Sequence, residues 1–214
     1  MDTHIVITLP RWDDITEYLS SFSKEIVDSC KNKQIRITTV EKERVTRKGF
    51  ISSIRKNTKM FIFNGHGAPN CICGHKDEEL ISLGVNDYLL KDKITYARSC
   101  WSFSELGQVC VGKKSGCFIG YILPFQFVVE EKWVSNPLKD NTARVFFETS
   151  NLVPLGLIKG NTAINSNENS KRSMLKAMNK ILKYKEKGNR AILEALWNNY
   201  YSQKLVGNGE MTLF

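Results

Sequence analysis

Short apolar runs alternate with helix-spaced apolar stripes along this chain. His4–Leu9 is an apolar run stopped by Pro10 and predicts a buried strand. Asp14-Ile-Thr-Glu17 has the form of a capping box. Ile15, Leu19, Phe22, Ile26 and Cys30 then recur at helical spacing, predicting one helix to about Lys31. Residues 34–40 alternate as a strand does, with Ile35, Ile37 and Thr39 on one face. A short helix through Phe50, Ile51 and Ile54 is expected over 49–57, and Met60–Phe63 is the next apolar run, closed by Asn64-Gly65-His66-Gly67. A small hairpin around 74–79 and a turn and helix near 87–90 follow. Residues 93–97 predict a strand leading into Arg98-Ser99-Cys100, residues 102–111 a helix, 112–115 a turn and 117–121 a fifth strand. Beyond Val129 helix dominates, with one stripe at Met174, Met178, Ile181 and Leu182 and another at Ile192, Leu196, Trp197 and Tyr200.

Strands that are apolar on both faces and alternate with helices belong in a mainly parallel sheet sandwiched between helices, an α/β fold. No repeat or linker interrupts the pattern, so a single domain over 1–214 is expected. In such sheets, chemistry collects in the crevice at the carboxyl ends of the strands.

Composition narrows the class. With 42% apolar and 25% charged residues the chain can fold around a real core, which excludes disorder and low-complexity scaffolds. The longest apolar run, 118–129, is broken by Pro124 and Gln126 and is too short to cross a bilayer. Met1-Asp2-Thr3-His4 lacks the basic start of a secretory signal. A cytoplasmic protein without a membrane partner is the expectation. The six Cys show neither zinc-knuckle spacing nor a secreted disulfide pattern, and most read as buried thiols. Net charge is +9, concentrated in the flanks. From Lys171 to Arg190 eight basic residues face only Glu186. That segment reads as a solvated helix face, or as a contact for nucleic acid or another acidic partner.

Two strand ends carry the candidate chemistry. His66 follows the third strand between Gly65 and Gly67, and Cys100 follows the fourth. If those strands are neighbours, thiol and imidazole open into one crevice, where the ring can deprotonate the sulfur as a substrate carbonyl arrives. The main-chain N–H groups of Gly67 and Cys100 could then donate to a developing oxyanion. No acidic residue beside His66 in sequence offers a third member. A rival grouping, Cys71, Cys73 and His75 with His66 as a fourth ligand, has zinc-compatible side chains but lacks the usual spacing. The expectation is no metal and no cofactor.

An apolar block ending in His-Gly, then a second ending in Cys, resembles the signature of the caspase-like (clan CD) cysteine peptidases. Here the blocks are Met60-Phe-Ile-Phe-Asn-Gly-His66-Gly67 and Lys93-Ile-Thr-Tyr-Ala-Arg-Ser-Cys100. Gly116-Cys-Phe-Ile-Gly-Tyr121, Pro124-Phe125 and the closing Leu205-Val-Gly-Asn-Gly-Glu-Met-Thr-Leu213 are similar to the bacterial CHAT-type branch. The resemblance implies a caspase-like sandwich and His66 and Cys100 as a catalytic dyad. It further implies a protein substrate cleaved through a thioester, gating by a regulatory protein partner, and a place in a bacterial antiviral defence system. By the same resemblance Arg98, two residues before the nucleophile, would line the pocket for the residue preceding the scissile bond and favour an acidic one. The competing function is a non-catalytic module that binds nucleic acid or an acidic partner through 171–190 and is indifferent to loss of the thiol.

Overall fold

Alternation along the strands sorts the apolar side chains into two cores, one on each face of a central sheet. The computed structural model describes residues 3–109, 115–183 and 188–214. In chain order the elements are β1 (His4–Leu9), α1 (Asp14–Phe22), α2 (Lys24–Asn32), β2 (Arg36–Glu41), α3 (Arg47–Ser53), β3 (Thr58–Asn64), β4 (Gly67–Ala68), β5 (Cys71–Cys73), β6 (Glu79–Ser82), β7 (Ile94–Arg98), β8 (Cys117–Tyr121), α4 (Asn141–Ile158), α5 (Ala163–Leu182), α6 (Asn189–Ser202) and β9 (Gln203–Gly207). The main sheet runs β2-β1-β3-β7-β8-β9. Its first five strands are parallel and β9 is antiparallel. The short strands β4, β5 and β6 form a separate antiparallel sheet.

On one face, Ile5, Met60, Ile62, Tyr96 and Ile119 pack beneath α1, α2, α4, α5 and α6. On the other, Val6, Phe61, Phe63, Ala97 and Phe118 meet α3 and the β5–β6 hairpin. Two-sided burial of every central strand explains their unbroken apolar sequence. The expected α/β sandwich with a mainly parallel sheet is the observed architecture.

Local expectations differ from the structure where polar groups intervene. The helix expected from Asp14 to Lys31 is two helices broken at Ser23, whose hydroxyl donates to the Leu19 carbonyl at 2.8 Å. The residue opening α1 is Asp13, not Asp14, and it pairs reciprocally with Thr16 instead of Glu17. The helix expected over 102–111 begins one residue later, as a π-helical stretch over Phe103–Gly107. The residues from Cys110 to Lys114, where that helix was to end and a turn to begin, lie outside the described residues.

Candidate active site

Parallel pairing of β3 with β7 sets Asn64 opposite Arg98, so the segments that follow leave the sheet side by side. The chain past β3 bends tightly. Gly65 has φ +151°, and a Cβ there would lie 2.6 Å from the Cys73 carbonyl oxygen. At Gly67 a Cβ would fall 2.2 Å from Ser99 Oγ and 2.8 Å from the Cys100 carbonyl oxygen. Glycine is therefore required at 67 because the main chain carrying Cys100 passes directly over it. The His66 carbonyl accepts from Ser99 Oγ at 2.5 Å and from the Cys73 N–H at 3.0 Å, which fixes the backbone under the ring. Trp101, just past the thiol, is held in the left-handed region at φ +54°, a conformation that costs a non-glycine residue on the order of 1 kcal/mol.

A third strand end completes the rim. β1 lies on the other side of β3, and the four residues after it deliver Asp13. Asp13 Oδ2 accepts from His66 Nε2 at 2.7 Å, while Oδ1 accepts from the Thr16 N–H at 2.8 Å and the Thr16 hydroxyl at 2.6 Å. One carboxylate thus caps α1 and orients the histidine, correcting the expectation that His66 has no acidic partner. Burial pushes this carboxyl up, but the hydrogen bonds from Thr16 and His66 outweigh it, and the acid sits below its usual range. With Nε2 occupied as donor, the tautomer this bond favours leaves Nδ1 as the acceptor. The Trp12 indole meets the His66 ring edge-on, 5.7 Å between centroids. Sequence distance concealed Asp13. The rule that ligands gather at strand carboxyl ends, applied to β1, would have found it.

Cys100 and His66 line the same cavity, of about 500 Å³. Burial raises the Cys100 thiol above its ordinary value, partly countered by main-chain hydrogen bonds at Phe125 and at Cys100 itself. Such burial favours the neutral thiol, so attack by the sulfur calls for a base. Cys30, Cys73 and Cys117 are buried and pushed up to about 12. They pack as inert apolar groups.

Arg98 is placed differently from the sequence expectation. β7 alternation turns it under the helices with Ile94 and Tyr96, and it is completely buried. Its guanidinium donates to Asn64 Oδ1, Asn151 Oδ1, Ser150 Oγ, Ser23 Oγ and the Leu19 carbonyl at 2.6–3.2 Å. It stacks over Phe147 at 5.3 Å. It does not line the cavity that His66 and Cys100 share. Desolvation holds its pKa below the ordinary value.

The rival groupings fare as follows. Cys71 and Cys73 bring their sulfurs to 3.8 Å, but among the described residues no cluster of three or more His, Cys, Asp or Glu side chains could hold a metal ion. In the basic segment Lys171 lies over Tyr200 at 4.8 Å, whereas Arg172, Lys176, Lys180 and Lys183 line an exposed face of α5 and the turn after it. Among the described residues no helix is long and apolar enough to cross a membrane.

No protein-family model matches the chain, and no curated protein matches it. Among solved structures it is similar to the Arg-specific cysteine proteinase gingipain R, with a TM-score of 0.57 and 12% identity over 99% of this chain and 47% of that one. A second, at TM-score 0.49 and 11% identity, is the complex of Porphyromonas gingivalis RgpB pro- and mature domains, matched over 98% of this chain and 48% of that one. The chain spans about half the length of the structures it matches. The fold is the caspase-like fold of gingipain R.

Proposed function

We propose that this protein is a cysteine peptidase in which Cys100 is the nucleophile, His66 the general base and Asp13 the residue that positions the base. The observation carrying this reading is the convergence of three strand ends on one rim. Thiol and imidazole line a single cavity, and a carboxylate holds His66 Nε2 at 2.7 Å. The likeness of the fold to a cysteine proteinase supports it at the level of architecture.

In this reading a peptide carbonyl enters beside Cys100. His66 Nδ1 takes the thiol proton as sulfur attacks the carbonyl carbon, and Asp13 stabilises the resulting imidazolium. The tetrahedral oxyanion forms where the Gly67 and Cys100 main chains adjoin, and their N–H groups are the donors offered to it. The C–N bond breaks as His66 returns the proton to the leaving amine, leaving a thioester on Cys100. Water, deprotonated by His66, then attacks the thioester, releasing the acid and restoring the thiol. A raised thiol pKa suits proton transfer coupled to attack, in place of a resting ion pair.

The reading extends to a protein substrate and to gating by a separate protein. The motif resemblance to the CHAT-type branch supports gating and a role in bacterial defence. Full peptidase activity of the purified chain alone would remove the gating element.

The test compares wild type, Cys100→Ala and His66→Ala against a series of peptides carrying a thiol-directed electrophile. Adduct formation confined to Cys100 and lost in His66→Ala is the expected result. Modification of other thiols at equal rate, or adducts indifferent to His66, would exclude the dyad.

A further inference from the structure

We infer that the cavity beside Cys100 takes a large apolar side chain, aromatic or branched aliphatic, from the residue that forms the acyl side of the scissile bond. This deepens the peptidase reading and rests on it. The walls are Phe125, Phe127, Val128 and Val134 from the loop after β8, with Tyr18 of α1 and Ala195 of α6 behind them. Tyr18 contributes its ring alone, because its hydroxyl donates to Asp140 at 2.9 Å. The volume, about 500 Å³, exceeds that of any one side chain, so bulk is accommodated and small residues leave contacts unmade.

Charge decides the rest. Among the described residues no Lys or Arg lines the cavity, and its carboxylates are Asp14 and Glu194. An acidic substrate residue would enter an apolar space bordered by like charge and lose its hydration uncompensated. The acidic preference expected from Arg98 is thereby reversed. A basic residue finds a weaker attraction than two carboxylates suggest. Glu194, which also meets Arg190 at 2.7 Å, and Asp14 are both exposed to solvent, where an ion pair contributes little. Burying a Phe- or Leu-sized side chain against the walls corresponds to roughly tenfold to a hundredfold in kcat/KM. The apolar walls therefore outweigh the two exposed carboxylates.

The experiment measures cleavage, and inactivation by matched peptidyl acyloxymethyl ketones, across peptides differing only at that position: Phe, Leu, Met, Ala, Lys, Arg, Asp and Glu. Cys100 occupancy is read by mass spectrometry, with iodoacetamide as the size-indifferent control. Phe, Leu or Met should lead Asp, Glu, Lys and Ala by about tenfold or more. Ala191→Phe, at an exposed α6 position on the cavity wall, should erase that lead, and Val134→Trp, at another lining position, repeats the test if the first variant misfolds. A lead for Lys or Arg abolished by Asp14→Asn overturns the apolar assignment while leaving the dyad intact. So does equal labelling by all peptides, or a lead unaffected by both filling variants. If iodoacetamide modifies Cys100 but none of the peptidyl electrophiles does, the peptidase reading itself fails, and this inference with it.

Discussion

Asn at position 13 separates the two tasks that one carboxylate performs. Its side-chain carbonyl still accepts from the Thr16 N–H and hydroxyl, now 2.8 and 2.6 Å from Oδ1, and Asn caps helices about as well as Asp. Stability should change by no more than about 0.5 kcal/mol. The other atom becomes an NH₂ facing His66 Nε2, which a neutral imidazole can meet only as acceptor. The ring proton then moves to Nδ1, and an N–H replaces the lone pair that should receive the thiol proton. In a Ser–His–Asp site the equivalent exchange costs about 10⁴ in kcat, and because the pair here is only partly buried the expected loss is roughly 10² to 10⁴. Asp13→Ala loses the cap as well and should unfold about 1 kcal/mol more easily. Steady-state kinetics, denaturant titration and ¹⁵N shifts of the His66 ring read the three quantities separately. Asp13→Asn retaining more than a third of wild-type kcat, with its ring tautomer switched, would refute the reasoning. The charge itself leaves a pH signature. Asp13 is more acidic folded than unfolded, so its contribution is complete above the unfolded value and disappears as the pH falls through the folded one. Wild type should begin to converge with Asp13→Asn in stability as the pH falls below about 4.

Further predictions follow from neighbouring groups. Because burial raises the Cys100 thiol, its alkylation by iodoacetamide in wild type should still be climbing at about pH 8.5, where an unperturbed thiol is half ionised; a plateau below pH 7 would indicate a preformed thiolate. Gly67→Ala places a methyl 2.2 Å from Ser99 Oγ and 2.8 Å from the Cys100 carbonyl oxygen. It should cost about 1–3 kcal/mol in a denaturant titration together with nearly all activity, and a fully active variant would contradict the described packing. Arg98→Leu strands the buried acceptors of Asn64, Asn151, Ser23, Ser150 and Leu19 and should destabilise by about 3–5 kcal/mol. A loss below 1 kcal/mol, with altered peptide preference, would restore Arg98 to the substrate pocket.

The sheet was legible because its strands are buried on both faces and so carry uninterrupted apolar runs, as at Met60–Phe63 and Cys117–Tyr121. The positions of His66 and Cys100 on adjacent strand ends were legible for the same reason, since neighbouring strands bring their termini together. Asp13 was not, because its bond to His66 spans 53 residues and its capping role belongs equally to the shifted reading at Asp14. Arg98 was misplaced through its nearness to the thiol in sequence. Strand alternation, Ile94, Tyr96, Arg98, points it into the helical core. The break at Ser23 was illegible because the apolar stripe continues across it, and the groups that use the backbone and hydroxyl exposed there, the guanidinium from β7 and the Asn151 amide from α4, are distant in sequence.

That guanidinium has a further consequence. A full positive charge sits in the interior with neutral oxygens as its hydrogen-bond acceptors, contributed by β3, α4 and the α1–α2 corner. Each acceptor must stand in place at once, or a cation is left in apolar surroundings. Loosened states that keep their helices and strands while side-chain order dissolves would hydrate this charge first, two residues from the sulfur. Heat or acid should therefore abolish turnover and near-ultraviolet dichroism at the same midpoint, leaving no swollen form that still cuts peptides.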